Sequence, residues 1–368
     1  MNKSLSSSSS TSDSDSSINY DKYNLNINGE YINNRYLVIR ELGRGACSIV
    51  WMIYDMEEKD FYAMKVHNYD EYDDAKDEIS FSGRLPRSLL FNKILTTFVI
   101  IRKKKKKYVC SISNICAGNL DCFIRKGYYS DGFDTKVVEA IMKQLIVGLN
   151  FLHKQIKVYH GDLKPDNILL QGKNLRDEFI MKEYINHKYY NMLKDDPHKY
   201  HNMIIDEILE KAIEYDIYDC DLKYLDNPKI SIADFGNFCD FDDQYDEVVG
   251  TRYYMAPEVM LLGDCTHKVD YWALGCTCYE LITGRVLFNP RRKEYDTNHE
   301  HLCEIISLCG KIPKKVIKKS RLGKKYFLKK TYKLKNFTKK EVKYIKNDLD
   351  DFILRLIDSD PRKRMMYL

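Results

Sequence analysis

Two short polar segments constrain this chain more than any other feature: His160–Asn167, and an Asp-Phe-Gly triplet that begins at Asp234. Asp162 could accept the proton of an attacking hydroxyl, and Lys164 could neutralise charge that builds on a transferred phosphoryl group. Asn167 and Asp234 offer the oxygen ligands that Mg²⁺ prefers in proteins. Together these residues predict phosphoryl transfer from ATP bound with Mg²⁺.

A glycine-rich loop precedes these segments. It follows the extended run Tyr36–Arg40, so it should join two strands. Gly43 and Gly45 would let backbone N–H groups approach the phosphates, and Val50 would lie over the adenine ring. The nucleotide contacts predicted for this loop are Leu42, Gly43, Arg44, Gly45, Ala46, Cys47, Ser48 and Val50.

A lysine on the next predicted strand would reach the phosphates. Lys65 follows Ala63 in an alternating run, so both side chains should face the nucleotide. An inward-facing lysine needs a carboxylate partner, for which we expect Glu78. Glu71 is the rival, because it lies in a run of carboxylates that could also be a solvated face. Leu169 is expected to form the floor of the adenine pocket.

The segment Gly250–Glu258 completes a pattern that resembles the eukaryotic-type protein kinases from about residue 35 to the end of the chain. The resemblance implies an α+β fold of two lobes: a small antiparallel β-sheet lobe with one helix, and a larger, mainly α-helical lobe. It also implies that Thr251 hydrogen-bonds toward Asp162 and Lys164. By the same similarity Asp270 would brace the catalytic loop.

Other residues bear on stability and on the class of kinase. Arg364 is expected to pair with Glu258, as in the family, and such a buried ion pair is costly to break. Lys164 and Thr251 are typical of serine/threonine kinases, so protein serines and threonines are the expected acceptors. A pseudokinase scaffold that binds partners through its insert and basic segment is the alternative function, and a small-molecule kinase of the same fold is another. The intact Lys65, with the catalytic aspartates, disfavours the scaffold.

Several further matches resemble the SR-protein kinase family. They include Arg35–Gly43, Ala75–Ile79 and Thr283–Pro290, together with an insert at 171–229 between the catalytic segment and the Asp-Phe-Gly triplet. Phe235 and Met255 depart from that family's pattern. The resemblance implies basic, Arg/Ser-rich protein substrates. Within the insert, apolar residues from 204 to 213 keep a helical period, and we expect that helix to dock on the large lobe.

The activation segment carries signs of regulation and of specificity. Gly161 replaces the arginine that clamps a phosphorylated loop in many kinases, and residues 237–249 contain no serine or threonine. We therefore expect activity without loop phosphorylation. Carboxylates in the loop and late in the insert would attract basic peptides, although they could equally be solubilising charges. They are Asp240, Asp242, Asp243, Asp246 and Glu247 in the loop, and Asp206, Glu207, Glu210, Glu214, Asp216, Asp219 and Asp221 in the insert.

The chain divides into a tail and a kinase domain. Residues 1–34 are expected to form a disordered serine-rich tail, because Ser4–Ser17 is too polar to offset the entropy of ordering. Residues 35–368 would form the domain, with a small lobe at 35–117 and a large lobe at 118–368 that contains the insert.

The segment 311–340 contains 14 Lys or Arg residues and no acidic residue. It could bind RNA or another anionic partner, or serve as a nuclear import signal. It lacks a recognisable RNA-binding motif, so a solvated basic face is favoured over a nucleic-acid site.

Composition agrees with an intracellular enzyme. Of the residues 44% are hydrophobic, enough for a two-lobed core, and no secretory signal or membrane-length apolar run is present. The 11 cysteines are scattered, which predicts reduced thiols. We expect a monomer in the cytoplasm or nucleus. The richness in Asn, Lys, Ile and Tyr is typical of AT-rich genomes, such as those of protists or large viruses; a viral chain would act in its host cell.

Overall fold

The computed structural model describes residues 25–45, 47–125, 129–214, 223–245, 247–291 and 296–365. Ala46 and Asp246, the insert carboxylates Asp216, Asp219 and Asp221, and residues 1–24 lie outside the described residues. The chain forms two compact units. Unit 1 contains Met1–Gly118 and Gln171–Tyr224, and unit 2 contains Asn119–Leu170 and Leu225–Leu368.

Unit 1 is built on a six-stranded antiparallel sheet in the order β1-β2-β3-β4-β6-β5. Side chains alternate between its two faces, as the period of two in a strand requires. Met64 and Val66 of β4 belong to one apolar cluster, whereas Ala63 belongs to the other. The strands are β1 Tyr31–Ile32, β2 Tyr36–Arg44, β3 Ser48–Asp55, β4 Asp60–His67, β5 Thr96–Arg102 and β6 Lys106–Ser113. Helix α1, Tyr72–Ser82, contacts β6.

Ordered structure begins earlier in the chain than expected. Strand β1 lies inside the region predicted to be a tail, and it pairs with β2. Ile27 is fully buried in the core of unit 1. The expectation of a disordered tail at 1–34 was therefore wrong for residues 25–34, where a few apolar side chains complete the sheet.

The insert is part of unit 1, which differs from the expectation that its helix docks on the large lobe. Its two main helices are α4, Leu175–Ile185, and α5, Pro197–Glu214. The predicted helical period is confirmed, but Ile204 and Ile208 pack in the same apolar cluster as Leu37 of β2. The sheet has an apolar second face that needs cover, and the insert provides it.

Polar contacts fix these helices to the sheet. Tyr184 and His201 hydrogen-bond at 2.8 Å, and the other ring nitrogen of His201 lies 2.9 Å from the Val38 carbonyl oxygen. Burial lowers the pKa of His201 to about 4, so the ring is neutral and donates to only one of these partners. Arg40 pairs with the fully buried Asp177 of α4.

Unit 2 is mainly helical. Helix α8 is buried along almost its whole length, and the small Gly275 lets α12 approach it closely at Leu356. Its helices are α2 Leu120–Arg125, α3 Thr135–Phe151, α7 Pro257–Met260, α8 Lys268–Thr283, α9 Thr297–Cys309, α10 Lys314–Lys319, α11 Gly323–Tyr326 and α12 Asp350–Leu356. Short strands β8 Val158–Tyr159 and β11 Cys239–Asp240 pair with each other, as do β9 Ile168–Gln171 and β10 Ile230–Ile232. Strand β7 Cys116–Asn119 and helix α6 Lys223–Asp226 each contain a point in the sequence at which one unit ends and the other begins.

The predicted α+β class is confirmed: one unit is an antiparallel sheet with helices, and the other is mainly helical. None of the helices in the described ranges combines the length and the apolar character needed to cross a membrane.

Candidate active site

The lysine of β4 has the partner predicted for it. Lys65 Nζ lies 3.0 and 2.9 Å from the two carboxylate oxygens of Glu78 on α1. Glu71 lies in a different environment, where burial and the neighbouring Asp74 raise its pKa to about 7. Glu78 therefore orients Lys65.

The glycine-rich loop is the β2–β3 hairpin of unit 1. Its turn is closed by the Gly45 N–H, which donates to the Ser48 carbonyl oxygen at 2.9 Å. A Cβ atom at Gly43 would contact nothing within 4 Å, so this face of the hairpin is open. The open face fits the predicted close approach of phosphates to the backbone.

The other residues predicted for the nucleotide site lie in three different surroundings. Leu42, Val50 and Ala63 belong to, or pack against, the apolar cluster of unit 1 that also holds Ile204 and Ile208 of the insert. Arg44 instead forms an ion pair with Glu41 at 2.6 Å, and Cys47 is exposed. Leu169 lies on β9 of unit 2, where it pairs with Ser231.

The catalytic loop of unit 2 holds its aspartate by both carboxylate oxygens. Lys164 Nζ lies 2.9 Å from Asp162 Oδ2, and the backbone N–H of Thr251 donates to Oδ1 at 2.7 Å. Lys164 also donates to Thr251 Oγ1 at 2.6 Å. Burial alone would lower the pKa of Lys164, but Asp162 raises it above its ordinary value. The ammonium therefore stays charged, and the predicted contacts among these three residues are confirmed.

The two residues predicted to bind Mg²⁺ offer suitable oxygens. The Asn167 amide nitrogen donates to the Asp162 carbonyl oxygen at 2.8 Å, which leaves the amide oxygen on the opposite side of the group. The backbone N–H that precedes Asp234 donates to the Asn167 carbonyl oxygen at 2.9 Å, which keeps the two residues close. Asp234 itself has a left-handed backbone with φ of 61°, an arrangement that costs energy and is common at functional sites. One carboxylate and one amide oxygen suit a cation bound largely by phosphates.

A buried carboxylate braces this loop from below. Asp270 of α8 accepts hydrogen bonds from the backbone N–H groups of His160 at 2.8 Å and Gly161 at 3.0 Å, which confirms the predicted brace. The His153 ring lies 2.7 Å from the same carboxylate. Burial would raise the pKa of Asp270, but His153 and the backbone donors hold it below its ordinary value. Sequence reasoning missed His153, since no local pattern links it to a residue in α8.

Tyr245 holds the activation segment beside Gly161, the residue that by family resemblance stands where many kinases have an arginine. Gly161 has φ of 81°, and a Cβ atom on it would overlap the Tyr245 hydroxyl and the Asn237 carbonyl oxygen. Tyr245 donates to that carbonyl at 2.9 Å. Burial raises the pKa of Tyr245 well above its ordinary value, so the hydroxyl remains a donor. Arg321 donates to the Tyr245 carbonyl oxygen at 2.7 Å.

The end of this segment is anchored by the ion pair expected from the sequence. Arg364 and Glu258 are both almost fully buried, and two hydrogen bonds of 2.6 and 2.9 Å join them. Removal of one partner would leave a buried charge uncompensated, at a cost of about 3 to 5 kcal/mol.

A group of carboxylates that sequence reasoning did not single out adjoins the catalytic loop in unit 2. Burial and the nearby Asp121 raise the pKa of Asp166 above its ordinary value and the pKa of Glu280 to about 7. Arg125 pairs with Asp121 at 2.6 Å, and Tyr254 donates a hydrogen bond to Glu280. The three carboxylates come from three separate segments, so only the fold brings them together.

Comparison with known proteins agrees with this site. The profile of the protein kinase domain matches residues 36–367. A serine/threonine-protein kinase named SRPK from Physarum polycephalum is 27% identical over 380 residues, covering 91% of this chain and 84% of its own. A putative serine/threonine-protein kinase, L205, from Acanthamoeba polyphaga mimivirus is 26% identical over 423 residues, covering 84% and 78%. The crystal structure of the PF14_0431 kinase domain has a TM-score of 0.67 at 24% identity, covering 92% of this chain and 94% of that chain.

The fold and the paired Lys65–Glu78 and Asp162–Lys164 groups define a phosphotransferase. The chain belongs to the protein kinase domain family, with serine/threonine kinases of the SR-protein kinase type among its relatives. Membership implies the use of ATP.

Proposed function

We propose that this protein kinase transfers the γ-phosphoryl group of ATP to serine and threonine hydroxyls of proteins. The observation that carries the proposal is the fixed Asp162 carboxylate, held by Lys164 and by Thr251. A carboxylate whose direction is set in advance needs no reorganisation during the reaction. The relatives named as serine/threonine kinases support the choice of acceptor.

In the proposed mechanism Asp162 orients the acceptor hydroxyl and accepts its proton. Lys164 places a positive charge beside the phosphoryl group in transit, and its contact with Asp162 fixes the direction of that carboxylate. Lys65, oriented by Glu78, binds phosphate oxygens of the nucleotide. Mg²⁺ held by Asn167 and Asp234 would neutralise charge on those phosphates.

The test is the transfer of labelled phosphate from ATP to a serine peptide. Asp162→Asn keeps the shape of the side chain but removes its basicity, so kcat should fall by about 10²- to 10⁴-fold while ATP binding remains. Asp351→Asn, at an exposed position on α12, is the matched control and should leave kcat unchanged. ATP binding without transfer by the unaltered protein would instead favour the scaffold function.

We further propose that the acceptor lies in a basic, Arg/Ser-rich sequence context. Three carboxylates, Asp121, Asp166 and Glu280, lie near the catalytic loop. Arg125 pairs with one of them, Asp121. Ionised carboxylates crowded in a partly buried place repel each other, and an incoming guanidinium would relieve that repulsion. Asp242 and Asp243 of the activation segment add exposed negative charge.

A peptide comparison tests this preference. An arginine-serine repeat should be phosphorylated with a higher kcat/KM than an acidic-flanked or a proline-directed serine peptide. Glu280→Gln should reduce the advantage by about tenfold, because it removes one charge without changing the volume. Equal rates on all three peptides would mean that these carboxylates do not select the substrate, with the kinase activity itself unaffected.

A further inference from the structure

Six lysines of unit 2 form one ordered, positively charged surface. Helix α10 contributes Lys314, Lys315 and Lys318, and the turn at 328–333 contributes Lys329, Lys330 and Lys333. All six are exposed. We call these six residues the basic surface.

A tyrosine joins the two parts of this surface. The Nζ atoms of Lys314 and Lys318 lie 5.7 and 5.5 Å from the centre of the Tyr332 ring. The turn that carries Tyr332 is closed by its N–H, which donates to the Leu328 carbonyl oxygen at 2.9 Å. The lysines of the turn are therefore neighbours of those on α10, although they are separate in sequence.

The frame beneath the basic surface is folded. Ile317, Phe327 and Leu334 are buried, and Phe327 and Leu334 form a β-bridge. Lys335 extends its ammonium group to the carbonyl oxygens of Lys324 and Lys325 at 2.7 and 2.8 Å. The backbone that carries these charges is thus fixed by packing, unlike that of a solvated tail.

Neighbouring lysines are neutralised, but those of the basic surface are not. Lys325 pairs with Asp296 at 2.8 Å and Lys340 with Glu300 at 2.6 Å, while no carboxylate in the described residues lies within salt-bridge distance of the six. Like charges separated by less than the Debye length of about 8 to 10 Å repel one another. A fold that keeps six of them together gains affinity for an anionic partner.

We propose that the basic surface docks an acidic or phosphorylated segment of the protein substrate. This proposal rests on the proposed function, since it concerns a second contact with the same substrate. Arg321, three residues after Lys318, donates to the Tyr245 carbonyl oxygen, so the chain segment that carries the basic surface also contacts the activation segment. The substrate then carries opposite charges: basic residues around its acceptor and acidic residues at a distance along the chain.

A polypeptide suits the surface better than a nucleic acid does. Binding of a single strand needs aromatic faces on which bases stack, with Lys or Arg tracking the backbone. The Tyr332 ring is instead covered by the ammonium groups of Lys314 and Lys318. Lysine ammonium groups on flexible side chains suit carboxylates and phosphoserine, because they bind these groups without the fixed bidentate geometry of arginine.

The test compares two substrates in one assay: a serine peptide, and the same peptide followed by a flexible linker and an aspartate or phosphoserine tail. The triple variant Lys318→Gln, Lys330→Gln, Lys333→Gln should raise KM for the tailed peptide about tenfold at low salt, with kcat unchanged. KM for the untailed peptide should not change. The matched control Lys136→Gln, Lys154→Gln, Lys346→Gln removes the same charge from exposed lysines elsewhere in unit 2 and should have no effect.

Two outcomes would overturn the proposal. One is an equal change for both peptides, or no change for either. The other is tight binding of single-stranded RNA by the unaltered protein, lost in the triple variant, without binding of the acidic tail. Fluorescence anisotropy with the labelled tail measures docking without catalysis, so an inactive enzyme that still binds the tail would separate the failure of the proposed function from the failure of docking.

Discussion

At the scale of single residues, Gly161 shows how one missing side chain shapes the activation segment. Its positive φ and the Tyr245 hydroxyl beside it leave no room for a Cβ atom. The Tyr245 contact thus lies where, by the family resemblance, many kinases have an arginine that clamps a phosphorylated loop. Because the contact needs no phosphate, it supports activity without loop phosphorylation, which stays a prediction.

Gly161→Ala should therefore destabilise the protein by about 2 to 4 kcal/mol and reduce kinase activity, because left-handed strain adds to the displacement of Tyr245. Chemical denaturation and peptide assays measure the two effects. Gly310→Ala is the control: φ is 81° there too, but the space around it is open. It should cost about 1 to 3 kcal/mol of strain and leave activity unchanged. Full activity of Gly161→Ala would show that the Tyr245 contact is dispensable.

We expect Glu280 to make substrate choice depend on pH. Burial raises its pKa to about 7, so the carboxyl group is mostly neutral at pH 6 and mostly ionised at pH 8. The kcat/KM advantage of an arginine-flanked peptide over a glutamine-flanked one should rise about tenfold across that interval, following the ionised fraction. In Glu280→Gln the ratio should be flat. A ratio that falls with pH in the unaltered protein would contradict the assignment.

At the scale of elements, the insert acts as a cover for the sheet of unit 1. Helices α4 and α5 bury Ile204 and Ile208 against it, and His201 and Asp177 add polar contacts to Val38 and Arg40 of β2. Without the insert this apolar face would be exposed to water, which would cost about 25 cal/mol of stability per Å² of apolar surface. The insert therefore stabilises the lobe that carries Lys65.

Ile208→Ala should lower the free energy of unfolding by about 2 to 5 kcal/mol, because the side chain is fully buried. Ile185→Ala, at the end of α4 where the side chain is 46% exposed, should cost less than about 0.5 kcal/mol. Urea denaturation of both variants provides the comparison. Similar losses for the two would mean that α5 does not cover the sheet in solution.

At the scale of the whole molecule, charge is segregated more than the composition suggests. The 59 basic and 54 acidic residues nearly cancel, yet 14 of the basic residues lie in 311–340 while the activation segment is acidic. The proposed carboxylate site and the basic surface both arise in unit 2. Such opposed surfaces favour a substrate of mixed charge, and the net charge alone would not indicate one.

The sequence by itself determined the chemistry. Asp162, Lys164, Asn167, Lys65 and Asp234 were identifiable because phosphoryl transfer requires those residue types in short, fixed motifs. The Lys65–Glu78 pair could be chosen over Glu71 because a lysine on a strand needs one carboxylate on a nearby helix.

Only the tertiary structure decided the rest. The side on which the insert packs, the contact of Tyr245 with Asn237, and the meeting of Asp121 with Glu280 all join residues far apart in the chain. No local spacing encodes such contacts, since they depend on which apolar faces remain to be buried once the sheet and helices have formed.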